Sequence, residues 1–188
     1  MISETGTTAE NVTRNRARKP GILLGVMIAV AALLLAACSS GNDAGEVANP
    51  DDLQASAVQV EGSDKDLVAK FPTPAKASNL STNDLKVGEG AAAEAGAVVQ
   101  TEYWLFLGST GQLADSSTTH SPGGIDFELS PDRVVPGFAK GMEGIQAGGE
   151  RVIVIPPDQA YGSNPPTGIP VNETLVFVVK AVKVTNKS

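Results

Sequence analysis

A chain of 188 residues that is 41% apolar has room for one domain of ordinary size plus extra material, and too little apolar content for a multi-span membrane protein. Its formal net charge of −7 argues against nucleic-acid binding, which needs a clustered surplus of Lys and Arg. A single cysteine and a single histidine exclude an internal disulfide framework, a Cys-rich metal site and His-rich zinc ligation, and they disfavour a His-dependent triad.

The charge is unevenly placed. Of 14 basic and 21 acidic residues, four basic ones (Arg14, Arg16, Arg18, Lys19) and two acidic ones (Glu4, Glu10) precede Cys38, which leaves 10 against 19 beyond it. The basic cluster leads into residues 21–37, an apolar run closed by Leu35-Ala36-Ala37-Cys38. Basic flank, apolar core and small residues at a boundary are the features of a secretory signal. At 17 residues the run is short for a membrane-spanning helix, which needs ~20, so an uncleaved anchor is the competing reading. Leu-Ala-Ala-Cys resembles the lipobox of bacterial lipoproteins. That resemblance implies cleavage before Cys38, diacylation of its thiol and a lipid-anchored location on the extracytoplasmic face of the cell membrane. Two acyl chains suffice for stable anchoring where one is marginal.

Residues 38–83 are rich in Ser, Gly, Asn, Asp, Ala and Pro, a linker composition. As a flexible tether they would span roughly 35–40 Å. Within them Ala57-Val58-Gln59-Val60 and Leu67-Val68-Ala69-Lys70-Phe71-Pro72 carry enough apolar character for a short edge strand or a docking arm, so disorder is expected to about residue 55 and partial ordering against the following domain beyond it.

Residues 84–188 read as that domain. Val99, Thr101, Tyr103, Leu105 and Leu107 alternate at period 2, Gly108-Ser109-Thr110-Gly111 supplies a hairpin turn, and Gln112-Leu113-Ala114-Asp115 begins the return. His120 falls in a polar run and is expected to be a solvated loop residue. Ile125, Phe127 and Leu129 alternate with Asp126 and Glu128, as in a half-buried strand. Phe138, Met142 and Ile145 lie at i, i+4 and i+7, predicting a short amphipathic helix that Gly148-Gly149 ends. Residues 151–155 read as a central strand, and Leu175, Phe177, Val179 and Ala181 share one face of the last one. The class is α+β, a curved antiparallel sheet wrapped around one short helix.

Asp115-Ser116-Ser117, Val134-Val135-Pro136-Gly137-Phe138, Pro157-Asp158-Gln159-Ala160-Tyr161-Gly162, Gly168-Ile169-Pro170 and Thr174-Leu175-Val176-Phe177 resemble, in order and near-family spacing, the FKBP-type peptidyl-prolyl isomerases. The resemblance covers residues 85–184 and implies rotation about Xaa–Pro peptide bonds. That rotation is slow because it breaks amide resonance, with a barrier of ~18–20 kcal/mol for peptide bonds in general. No bond is made or broken, so no metal, cofactor or nucleophile is required.

By resemblance, the proline ring sits on Phe138, walled by Ile125, Val134, Val135, Ile169 and Phe177. Val135 N–H and the Tyr161 hydroxyl donate to substrate carbonyls, and Asp115 accepts from Tyr103, whose oxygen faces the twisting bond. Three departures stand out. Phe138 replaces the usual Trp, Ala114 replaces the usual Phe and so opens one wall, and Trp104-Leu105 replaces Thr-Gly. The tyrosine register has two solutions. Counting from Gly96 selects Tyr103 and needs one extra hairpin residue; counting back from Asp115 selects Trp104. Tyr103 is preferred, because hairpins absorb insertions more easily than strands.

The leading expectation is an exported, lipid-anchored isomerase acting on proline-containing polypeptides. It is expected to be a monomer, with macrolide inhibitors as further candidate ligands. The competing readings are a binding module of the same fold that captures proline-containing or unfolded segments without turnover, and a structural envelope lipoprotein.

Overall fold

The computed structural model describes residues 51–187. The apolar run 21–37 and Cys38 lie outside them, so the readings made there have no structural counterpart here.

Two very short strands open the described chain, β1 (Gln59–Glu61) and β2 (Val68–Lys70), paired as an antiparallel ribbon. The main sheet takes β3 (Ser81–Lys86), β4 (Val98–Leu107), β5 (Leu113–Ser116) and β6 (Ile125–Glu128). After helix α1 (Pro136–Met142) it adds β7 (Glu150–Ile155) and β8 (Leu175–Thr185). The order is β3-β7-β8-β4-β5, all antiparallel, with β6 also on β4. The length of β4 permits this. Along one edge it pairs with β8 from Val98 to Leu107, and along the other it serves β6 with its first half and β5 with its second.

Alternation assigns the two faces. Tyr103, Leu105, Ile153, Ile155, Leu175, Phe177 and Val179 turn to the side that carries α1, where they meet Phe138, Met142 and Ile145. Trp104, Phe106, Val152, Val154, Val176 and Val178 turn to the opposite side.

Helix α1 begins on Pro136, whose fixed φ and missing N–H suit the first helical position. It lies close on β7 because of two glycines. A Cβ at Gly137 would stand 2.3 Å from Ile155 Cγ2, and one at Gly141 2.5 Å from Ile153 Cγ2. The helix is shorter than the i, i+4, i+7 spacing suggests: it stops at Met142, and Ile145 reaches the core from the following turn, 2% exposed. The Ile145 N–H still donates to Met142 O, while Gly144 N–H is drawn to Ala93 O. The end of the helix is held by Arg151, a buried cation at the head of the apolar run 152–155. Its Nη1 donates to Gly141 O (2.9 Å) and Glu143 O (2.8 Å), and its other nitrogens fork onto the Asp84 carboxylate.

The ordering expected beyond about residue 55 is present and extends from Leu53 to Ala77, so the packed fold starts well before the domain boundary near residue 83. Leu53, Ala55, Val58, Ala69, Ala75 and Ala77 are buried over the face of the sheet opposite α1. Hydrogen bonds fix this cover: Leu53 N–H to Lys76 O, Ala75 N–H to Gly108 O, Ala77 N–H to Thr174 Oγ1 and Ala55 N–H to Ser81 Oγ. Four of the six buried residues are alanines, which fit a thin layer on a sheet and look like linker in the sequence.

Candidate functional site

On the α1 side the sheet leaves a cavity of about 190 Å³, lined by Tyr103, Leu105, Asp115, Phe127, Arg133, Val134, Val135, Phe138, Tyr161 and Phe177. The chain has eight aromatic residues, and five of them are here. Four close a ring of tilted and edge contacts. Centroids lie 5.7 Å apart for Tyr103–Phe127, 5.3 Å for Phe127–Phe138, 5.0 Å for Phe138–Phe177 and 6.1 Å for Phe177–Tyr103. Aromatic pairs favour such geometry over face-to-face stacking, so the rings brace one another around the cavity instead of filling it.

Tyr103 comes from the middle of β4, and its hydroxyl donates to Asp115 Oδ2 at 2.6 Å. The second Asp115 oxygen accepts the Ser116 N–H at 2.8 Å. The tyrosine register resolves in the ladder. Leu105 pairs with Asp115 but Phe106 pairs with Leu113, so β5 carries one extra residue, Ala114, in a bulge. Ala114 is exposed and is not among the lining residues. Trp104 points through the other face, where its indole N–H donates to Asp64 O at 2.7 Å.

The segment after β6 brings Arg133, Val134 and Val135 to the rim. Val134 N–H is used by Ser130 O, whereas Val135 N–H has no acceptor among the described residues. Tyr161 stands across the cavity, after a single 3₁₀ turn (Pro157–Gln159) that Gly162 N–H closes onto Pro157 O at 2.9 Å. Its side chain is 36% exposed, and its hydroxyl has no hydrogen-bond partner among the described residues. The pocket thus presents two uncommitted donors, one from the backbone and one phenolic, above an aromatic floor.

Both tyrosines hold their protons more tightly than free tyrosine. Burial is the main cause for each; for Tyr103 the hydrogen bond and negative charge of Asp115 come next, and for Tyr161 the charge of Asp115. Both are therefore neutral donors throughout the physiological range.

Of the residues picked from the sequence, Tyr103, Asp115, Val134, Val135, Phe138, Tyr161 and Phe177 meet at this cavity. Ile125 and Ile169 do not line it. They are half-buried and pack on the surrounding core. Ile125 and Phe127 share a face of β6, and it is the longer Phe127 ring that reaches in. Leu105, Phe127 and Arg133 were not singled out. The alternation of β4 and β6 places the first two on the correct face, while nothing in the local pattern marks Arg133. Among the described residues no group of three or more His, Cys, Asp or Glu side chains is placed to hold a metal.

The family model for FKBP-type peptidyl-prolyl cis-trans isomerase matches residues 89–182. The chain belongs to this family. It is 39% identical over 119 residues to FK506-binding protein 3 of Candida albicans, which covers 63% of this chain and 27% of the relative. It is 41% identical over 105 residues to the 46 kDa FK506-binding nuclear protein of Spodoptera frugiperda, covering 55% and 25%. The chain spans about a quarter of the length of these curated relatives. Among solved structures, FkpA from Escherichia coli aligns with a TM-score of 0.52 at 35% identity, over 57% of this chain and 49% of that one. AtFKBP13 aligns with a TM-score of 0.51 at 26% identity, over 56% and 93%. The curved antiparallel sheet around one short helix is the FKBP fold.

Proposed function

We propose that this chain accelerates rotation about Xaa–Pro bonds in polypeptides that fold outside the cytoplasmic membrane, held there by lipid on Cys38. The observation that carries the catalytic part is the pairing of an aromatic-walled cavity with two uncommitted donors at its rim, Val135 N–H and the Tyr161 hydroxyl. Such a site can seat a proline ring on Phe138, grip the adjoining carbonyls and exclude water. Water hydrogen-bonds the planar, charge-separated amide and so favours the ground state; a dry pocket withdraws that help and favours the twisted form. Each tenfold gain needs about 1.4 kcal/mol of such differential stabilisation. Tyr103 is braced by Asp115 as one wall.

The test of catalysis is isomerisation of Xaa–Pro test peptides by the purified full chain. Acceleration above background is expected. Peptide binding without acceleration would support the second reading, capture without turnover.

The location rests on the basic cluster, the apolar run 21–37 and the Leu-Ala-Ala-Cys motif. Cys38→Ala is expected to shift the protein from the membrane fraction to the medium or to an uncleaved precursor; unchanged fractionation and mass would refute lipidation. Two relatives carry FK506-binding in their names. FK506 is proposed to occupy the same cavity here, which competition against a proline peptide would show.

A further inference from the structure

Two charged side chains line the pocket, Asp115 and Arg133, and they differ in how fully they are engaged. Both carboxylate oxygens of Asp115 are taken from within the fold, by Tyr103 OH and Ser116 N–H. Arg133 has one ion pair, to Glu128, at 3.8 Å, and its side chain is 71% exposed. Glu128 is itself held more closely by Lys187, at 2.7 Å. A guanidinium thus stands at the mouth with its donors largely unspent, on a chain whose net charge is −7. It lies two residues before Val135, no more than about 7 Å along the backbone from the N–H proposed to grip the substrate. An Arg side chain so placed can reach a peptide held by that N–H.

We infer that Arg133 is a specificity-determining residue that selects an acidic side chain at one position flanking the substrate proline. The inference rests on the proposed peptide-binding role of the pocket and names the substrate class within it. The preference is positional. The exposed Asp132 beside it, and the acidic chain as a whole, set a longer-range field that favours basic peptides, so only a carboxylate within reach of the guanidinium gains.

The experiment uses the full chain and proline peptides carrying Glu, Gln or Lys at each position from two before to two after proline. Both kcat/KM and the Kd from fluorescence anisotropy are measured. At one position Glu is expected to exceed Lys by about 2–5-fold, as for an exposed ion pair. The gain should shrink between 0.15 and 1 M salt. Arg133→Glu should reverse the order at that position and leave the others unchanged, and Arg133→Lys should keep its direction. Identical charge profiles for the native chain and Arg133→Glu, or no position that favours Glu, overturn the inference even where isomerisation is normal. If no peptide is isomerised, the enzyme reading fails and the Kd profile alone decides this inference. Failure to bind any peptide overturns both.

Discussion

The two faces of one sheet in this protein have opposite fates. On the side opposite α1, Trp104, Phe106, Val152, Val154, Val176 and Val178 are buried beneath residues 53–77, whose small alanines let the cover lie flat and leave only a smaller cavity, about 90 Å³, beside Trp104 and Val178. On the α1 side, Tyr103, Phe177 and Phe138 also pack, yet rings that meet tilted or edge-on leave a cavity of about 190 Å³ beside them. The same strands supply both faces with similar apolar residues. The difference lies in what is laid over them. A thin, small-residue layer closes a surface, whereas bulky rings propped against one another, with loops at the rim, hold one open. The candidate pocket lies on the face that is packed less completely.

The largest effect expected from breaking this contrast comes from Phe138→Ala. The side chain is 3% exposed and touches two other rings, so its loss should cost about 3–5 kcal/mol in denaturant unfolding and abolish peptide isomerisation by removing the floor. Gly141→Ala acts on the same face from behind. Its methyl would enter the space of Ile153, and overpacking of this kind costs about 1–3 kcal/mol, with a lower kcat/KM because α1 carries Phe138 outward. On the closed face, Trp104→Phe keeps most of the apolar bulk and removes the indole bond to Asp64 O. A cost of about 1 kcal/mol is expected with kcat/KM unchanged, and a large loss of activity would mean that the two faces are not separable.

A smaller effect concerns pH. Tyr103 and Tyr161 have raised folded values, so the folded chain binds those protons more tightly than the unfolded one. Their contribution is fully present below the unfolded tyrosine value of ~10 and is lost as pH rises beyond it. Urea midpoints should fall less steeply above pH ~10 for Tyr103→Phe than for the native chain.

Much of the pocket face was legible because large apolar residues recur at strand and helix periods. Leu175, Phe177, Val179 and Ala181 declare a strand face, and Phe138 and Met142 declare the inner side of α1. The other face was half legible. Its strand residues alternate in the same way, but the cover is built from alanines scattered among Ser, Asp and Pro, so its burial arises from tertiary contact and not from local pattern. The same limit hid Arg151, a cation at the head of an apolar run, whose partners, Asp84 and the carbonyls of Gly141 and Glu143, lie on other elements. It also blurred Ile125 against Phe127, since alternation fixes the face but not which side chain is long enough to reach the cavity.

On this reading, uncommitted donors above an aromatic floor turn the pocket into a site for prolyl rotation. Tyr161→Phe tests it most directly, because the hydroxyl has no partner among the described residues and its removal should leave unfolding free energy within about 0.5 kcal/mol. The prediction is a fall in kcat/KM on Xaa–Pro peptides of about 10-fold, the worth of one substrate hydrogen bond near 1.4 kcal/mol. Unchanged kcat/KM in a variant of unchanged stability would contradict it.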